Sequence, residues 1–162
     1  MRILGIDPGI GRCGWGIIEE EGSKIKVLAY GCLETDSKEP TDKRLLTIFN
    51  FISDLIKKHK PEAVSVEKLF FNKNVSTALI VGEARGVAVL SAAKLSVPVF
   101  SYTPLEVKSA VVGYGKAEKA QVGQMVKVIL GLPKVPTPDD TSDALAVGIT
   151  HSFSRKMLKL GK

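Results

Sequence analysis

Sixteen residues at the start of the chain, Met1 to Gly16 (MRILGIDPGIGRCGWG), constrain the fold more than any other stretch. Ile3-Leu4-Gly5-Ile6 reads as a short buried strand that runs straight into Asp7. Pro8-Gly9 and Gly11 break the chain into a tight turn, and Cys13 to Glu20 reads as the return strand. A carboxylate at the end of a buried strand is costly to desolvate unless a cation meets it. Two readings of Asp7 stand on this stretch alone. It caps its turn, as Asp often does, or it belongs to a charged site that other parts of the chain complete.

Residues 24–35 alternate, with Ile25, Val27, Ala29 and Leu33 on one side, and predict a third antiparallel strand after a turn at Gly22. A helix is predicted from Thr41 or Asp42, with Leu45, Ile48, Phe49, Ile52, Leu55 and Ile56 forming one apolar face. Lys57, Lys58 and Lys60 suit its C-terminal dipole, and Pro61 ends it. Ala63 to Val66 predicts a strand that delivers a second acid, Glu67, followed by a loop with two aromatics, Phe70 and Phe71. Val75 to Leu95 is an Ala/Gly-rich helix in which Ala78, Gly82 and Gly86 form a row of small residues. That row suits either packing on the sheet or a subunit interface.

Val97 to Ser101 predicts a fifth strand. Thr103-Pro104-Leu105-Glu106 is a capping box with Pro at N1, opening a helix to about Val112. Glu118 to Leu130 predicts another helix, stopped by Gly131. Asp139 and Asp140 open a last helix to roughly Phe153, with a basic tail beyond. The expectation is one domain over residues 1–154, a basic tail over 155–162, and an α/β fold with a mixed five-stranded sheet flanked by helices.

Charge narrows the partners. There are 23 Lys+Arg against 17 Asp+Glu, a net charge of +6, which favours polyanions and nucleic acid first. No apolar run is long enough to span a membrane and the N-terminus lacks a basic and apolar leader, so a cytoplasmic protein without membrane partners is expected. If residues 13–20 and 24–35 form a hairpin turning near Gly22, Cys13 and Cys32 could face each other across it, which makes a disulfide geometrically conceivable; two free, buried thiols are the expectation. Neither has a histidine at ligand spacing, which argues against zinc.

Asp140 and Asp143 are three apart on the last helix and share a face, and Ala144, Ala146 and Val147 mark that face as buried. Like charges on a buried face repel unless a cation lies between them. Asp139 is explained by the helix N-terminus; Asp143, a turn further in, is not. If the strands ending in Asp7 and Glu67 are neighbours and the last helix packs beside them, four carboxylates converge. All-oxygen ligands suit Mg²⁺ or Mn²⁺, and two such ions about 4 Å apart make a phosphodiester hydrolysis site.

Five motifs in order then resemble one family: GIDPGIGRCGWG (Gly5–Gly16), VEKLFFNKN (Val66–Asn74), GEARG (Gly82–Gly86), VKSAVVGYGKAEKAQV (Val107–Val122) and DTSDALAVGITH (Asp140–His151). Over nearly its whole length the chain resembles the RuvC family of bacterial Holliday-junction resolvases, within the RNase H/integrase-like nucleases. The resemblance implies an RNase H-like fold and a structure-specific DNA endonuclease leaving 5′-phosphate and 3′-hydroxyl ends. Asp7, Glu67, Asp140 and Asp143 would be its catalytic, metal-binding acids, with two Mg²⁺ ions per site and Mn²⁺ as a substitute. The Asp-x-x-Asp-Ala pattern selects Asp140 over Asp139. Phe70 matches the aromatic that stacks on an unpaired base, and Lys108 and Lys119 match basic residues near the scissile phosphate. Lys73, Arg85 and Lys116 are expected as DNA-backbone contacts from charge and placement. A homodimer on four-way junction DNA, working with the branch-migration proteins RuvA and RuvB, is also implied.

Three other readings are weighed against this one. A ribosomal-RNA-processing nuclease of the same superfold fits the EKLFFNKN loop poorly. An actin-like ATPase lacks the second half that closes over a nucleotide. A non-catalytic nucleic-acid binder leaves four placed acids unexplained.

Overall fold

The computed structural model describes residues 1–68 and 75–160, with the backbone alone for 75–77 and 157–160. The strands are β1 (Arg2–Asp7), β2 (Arg12–Glu21), β3 (Lys24–Glu34), β4 (Ala63–Glu67) and β5 (Val99–Tyr102). The helices are α1 (Thr41–His59), α2 (Val75–Lys94), α3 (Pro104–Val112), α4 (Lys119–Leu130) and α5 (Asp139–Leu160). The strands lie in the order β3-β2-β1-β4-β5. The first three are antiparallel neighbours, and β1–β4 and β4–β5 pair in parallel. This is the expected mixed five-stranded sheet.

Side chains alternate across a strand, so each central strand feeds two cores. Leu4, Ile6, Ile17, Val64 and Val66 face one way and pack with Ile48, Ile52 and Ile56 of α1 and Ala84, Ala88 and Ala92 of α2. Ile3, Ile18 and Ile25 face the other way and pack with Leu145 and Ile149 of α5, Val107 and Val111 of α3, and Val122 and Val126 of α4. Each fully buried aliphatic side chain contributes about 1.5–3 kcal/mol. The second face also holds the acids.

The capping box at Thr103 forms as the sequence predicts, with Glu106 N–H donating to Thr103 Oγ1 at 3.2 Å and Thr103 N–H donating to Glu106 Oε2 at 2.7 Å. Three local expectations change. β5 begins at Val99 rather than Val97, because the Val97 N–H closes the end of α2 by donating to Ala92 O at 3.0 Å. α5 continues past Phe153 through the expected tail to Leu160. Arg155 donates to Glu20 at 2.8 Å and Ser152 donates to the same carboxylate at 2.9 Å, which anchors the extra turns to β2.

The third change concerns the cysteines. The register pairs Cys13 with Leu33 and Gly14 with Cys32, one step out of phase. Adjacent positions point to opposite faces, so Cys13 and Cys32 are both free, the first buried and the second half-buried.

Candidate active site

Strand parity places the first two acids. Gly5 and Asp7 lie on the α5 face of β1, and the parallel register Gly5↔Ser65, Ile6↔Val66 puts Ser65 and Glu67 on the same face of β4. α5 crosses that face at close range because its path is lined by glycines. A Cβ on Gly14 would run into the Asp140 carbonyl and stand 3.0 Å from Thr141 N. A Cβ on Gly5 would run into the Ala144 carbonyl and stand 2.9 Å from Gly148 N. The turn of α5 carrying Asp140 and Asp143 therefore rests directly on β2 and β1, and the four expected acids share one half-buried site.

The acids feel one another. Asp7 is pushed up to about 7, by burial first, then by Asp143, Glu67 and Asp140. Glu67 is raised by burial and by Asp143, against the pull of Lys119 and Lys108. Asp143 is also raised, because burial together with Asp139 and Asp140 outweighs Lys119. Lys119 Nζ lies 2.8 Å from Asp143 and 3.6 Å from Asp139. Burial opposes its charge, yet the bond to Asp143 holds the ammonium above its usual range. The sequence had assigned Asp139 to the helix end alone, and it also serves as an exposed partner of Lys119.

The donor set suits a hard divalent cation. All four donors are carboxylates, and their mutual repulsion leaves the site short of positive charge. Among the described residues no three His, Cys, Asp or Glu side chains converge tightly enough to grip one ion. Mg²⁺ does not need that arrangement, since it usually takes one or two carboxylates and completes its shell with water and substrate phosphate. Asp7, Glu67, Asp140 and Asp143 are the residues that would hold it.

The basic residues fall into different places. Lys108 and Lys119 line, with Glu67 and Asp143, a groove of about 190 Å³ between α3, α4 and α5. Lys116 is exposed in the connection from α3 to α4. Arg85 does not reach this groove side: its guanidinium donates to Glu67 O at 3.1 Å and to Ser101 Oγ at 2.8 Å. Phe70 and Lys73 lie outside the described residues. One cation was missed by sequence reasoning. Arg12, at the start of β2, stands 3.9 Å from Asp140 and 3.6 Å from Glu34. Counting the hairpin register back from the turn at Gly22 puts Arg12 opposite Leu33, and the irregularity between Ile17 and Ile18 shifts it by one residue onto Glu34.

This strand order, with two strand-end carboxylates facing two more on a crossing helix, defines an RNase H-like nuclease. The model of the family described as crossover junction endodeoxyribonuclease RuvC matches residues 3–151. The Ruminiclostridium cellulolyticum protein of that name is 55% identical over 157 residues, 97% of this chain and 95% of the relative. Thermus thermophilus RuvC, solved in complex with a Holliday junction substrate, superposes with a TM-score of 0.92 at 38% identity, covering 97% of this chain and 96% of that one. The yeast mitochondrial Holliday junction resolvase Ydc2 shares the fold, with a TM-score of 0.72 at 18% identity over 98% of this chain and 80% of its own. The chain belongs to the crossover junction endodeoxyribonuclease RuvC family, whose nucleases depend on divalent metal. No helix among the described residues is long and apolar enough to cross a membrane.

Proposed function

We propose that this chain resolves four-way DNA junctions as a homodimer, cutting two like strands symmetrically. The observation that carries this reading is the gathering of Asp7, Glu67, Asp140 and Asp143 on one sheet face of a fold whose Thermus relative is solved on a Holliday junction. Bound at these acids, two Mg²⁺ ions, or Mn²⁺ in their place, supply a water nucleophile near neutral pH and charge relief at the departing oxygen. The water oxygen bonds to phosphorus and the P–O3′ bond breaks. The 3′ oxygen takes up a proton, and the phosphate stays on the 5′ side. The acids orient the attack. Lys119 and Lys108 meet the phosphate's charge along the groove. Phe70 stacks on an unpaired crossover base, and Lys73 and Lys116 contact the backbone. Residues 1–154 form the nuclease domain and 155–162 its basic tail. The protein works in the cytoplasm beside RuvA and RuvB.

The test is incubation with synthetic four-way junctions, linear duplex and RNA, with and without Mg²⁺. Metal-dependent cutting of the junction alone is expected. Asp7→Asn, Glu67→Gln, Asp140→Asn and Asp143→Asn should each remove most cutting and spare binding, which rests on basic contacts to phosphate. Asp139→Asn, an exposed pair with Lys119, should keep most activity and lose less than about 1 kcal/mol. Preferential cutting of RNA, or cutting unaffected by loss of an acid, would overturn the assignment.

A further inference from the structure

Glu67 is the last residue of β4. The β1–β4 register ends at Ile6↔Val66, and the β4–β5 register ends at Glu67↔Tyr102. A side chain projecting from such an end is only as well placed as the backbone beneath it. Arg85 reaches that backbone from α2, on the face of the sheet opposite the acids. Its Nε–H donates to Glu67 O at 3.1 Å, while its Nη2 donates to Ser101 Oγ at 2.8 Å on β5. One rigid fork thus spans the ends of both strands. The planar, delocalised guanidinium suits this span better than an ammonium, which offers a single point of charge.

We propose that Arg85 is a positioning residue: it clamps the end of β4 so that the Glu67 carboxylate is held ready for metal, and it does not serve as a DNA-backbone contact. Two further observations agree. Arg85 is half-buried and already engaged, whereas Lys108 and Lys119 line the groove. Arg85 bonds the backbone oxygen of Glu67 from the α2 side of the sheet, so it acts on the carboxylate through geometry. The inference rests on the nuclease reading above, in which Glu67 binds metal. Groups that orient a metal ligand without touching the metal commonly change metal affinity or activity by about 10–100-fold when lost.

The test compares the full-length wild type with Arg85→Lys and Arg85→Gln in three measurements. These are Mn²⁺ binding by calorimetry without DNA, single-turnover junction cutting at saturating protein, and junction affinity across a range of salt. Both variants should weaken Mn²⁺ binding and slow the saturated rate by about 10–100-fold. Junction affinity and its salt slope should stay at wild-type values, because no counterion release depends on this side chain. Unchanged Mn²⁺ binding and saturated rate, with weaker junction binding and a salt slope shallower by about 1, would make Arg85 a phosphate contact and overturn the clamp. Should neither Arg85 variant fold, Ser101→Ala removes the anchor and leaves the arginine. It should weaken Mn²⁺ binding in the same direction by a smaller factor, and a folded Ser101→Ala with wild-type Mn²⁺ affinity would also overturn the clamp. A wild type that binds Mn²⁺ but leaves four-way junctions intact would defeat the junction reading, and the Mn²⁺ comparison would still decide the clamp.

Discussion

Asp7 is the residue on which the charge of the site turns. Its carboxyl rises from 3.8 to about 7, through burial first and then the three neighbouring acids. The folded protein therefore holds this proton to higher pH than the unfolded chain does. Stability from this group is present below 3.8 and is lost as pH rises towards about 7. In chelator, the wild-type thermal midpoint should fall across that window, and Asp7→Asn should show a flatter profile. Above neutral pH the variant should be more stable by on the order of 2–4 kcal/mol. Added Mg²⁺ should raise the wild-type midpoint more than the variant's. Midpoint curves for the two proteins with and without Mg²⁺ check both statements, and a variant profile as steep as the wild type's would contradict the first.

Among the elements, α5 decides the site, and its approach to the sheet is set by what the glycines lack. Gly14 and Gly5 face backbone carbonyls of α5 that cannot move aside without shifting the helix. Gly14→Ala should destabilise the protein by about 1–3 kcal/mol or more. It should also reduce cutting further than binding, because Asp140 and Asp143 ride on the displaced turn. Gly86→Ala on α2 is the contrast. Among the described residues of the chain nothing lies within 4 Å of the new carbon, so in a monomeric Leu90→Glu background the gain in helix propensity should appear as added stability of up to about 1 kcal/mol. Denaturant unfolding of the two variants, with cutting and binding assays on Gly14→Ala, checks the pair.

For the whole molecule, α2 presents two different faces. Ala84 and Ala88 are fully buried and pack on the sheet and α1. Leu79 and Leu90, 63% and 58% exposed, lie outward with Gly86 between them. Large exposed leucines on one helix face suit a partner helix, and the proposed homodimer uses this outer face. Leu90→Glu should give a folded monomer in sedimentation at micromolar protein while keeping the wild-type circular dichroism. It should also nick single strands instead of cutting in pairs. A wild-type dimer that survives Leu90→Glu would place the interface elsewhere.

The amino-acid sequence by itself determined most of the elements and singled out the four acids of the candidate site. Those signals are local. Alternation in 24–35, the apolar face of 45–56, the Thr103 capping box and Gly131 act within a few residues of themselves. The spacing of Asp140 and Asp143 on a helix is likewise readable without a partner. What joins distant segments was left to the tertiary structure. The side of the sheet on which Asp7 and Glu67 meet follows from the parallel register of β1 and β4. The extension of α5 follows from Arg155 and Ser152 reaching Glu20, more than a hundred residues away in the chain. The separation of Cys13 and Cys32 follows from a single-residue offset across β2 and β3. The place of Arg85 beneath Glu67 follows from the packing of α2 under the sheet. A charge read along the chain shows only that a cation is available. Which anion it meets is decided by burial and strand register, and those are settled only when the two cores close around the sheet.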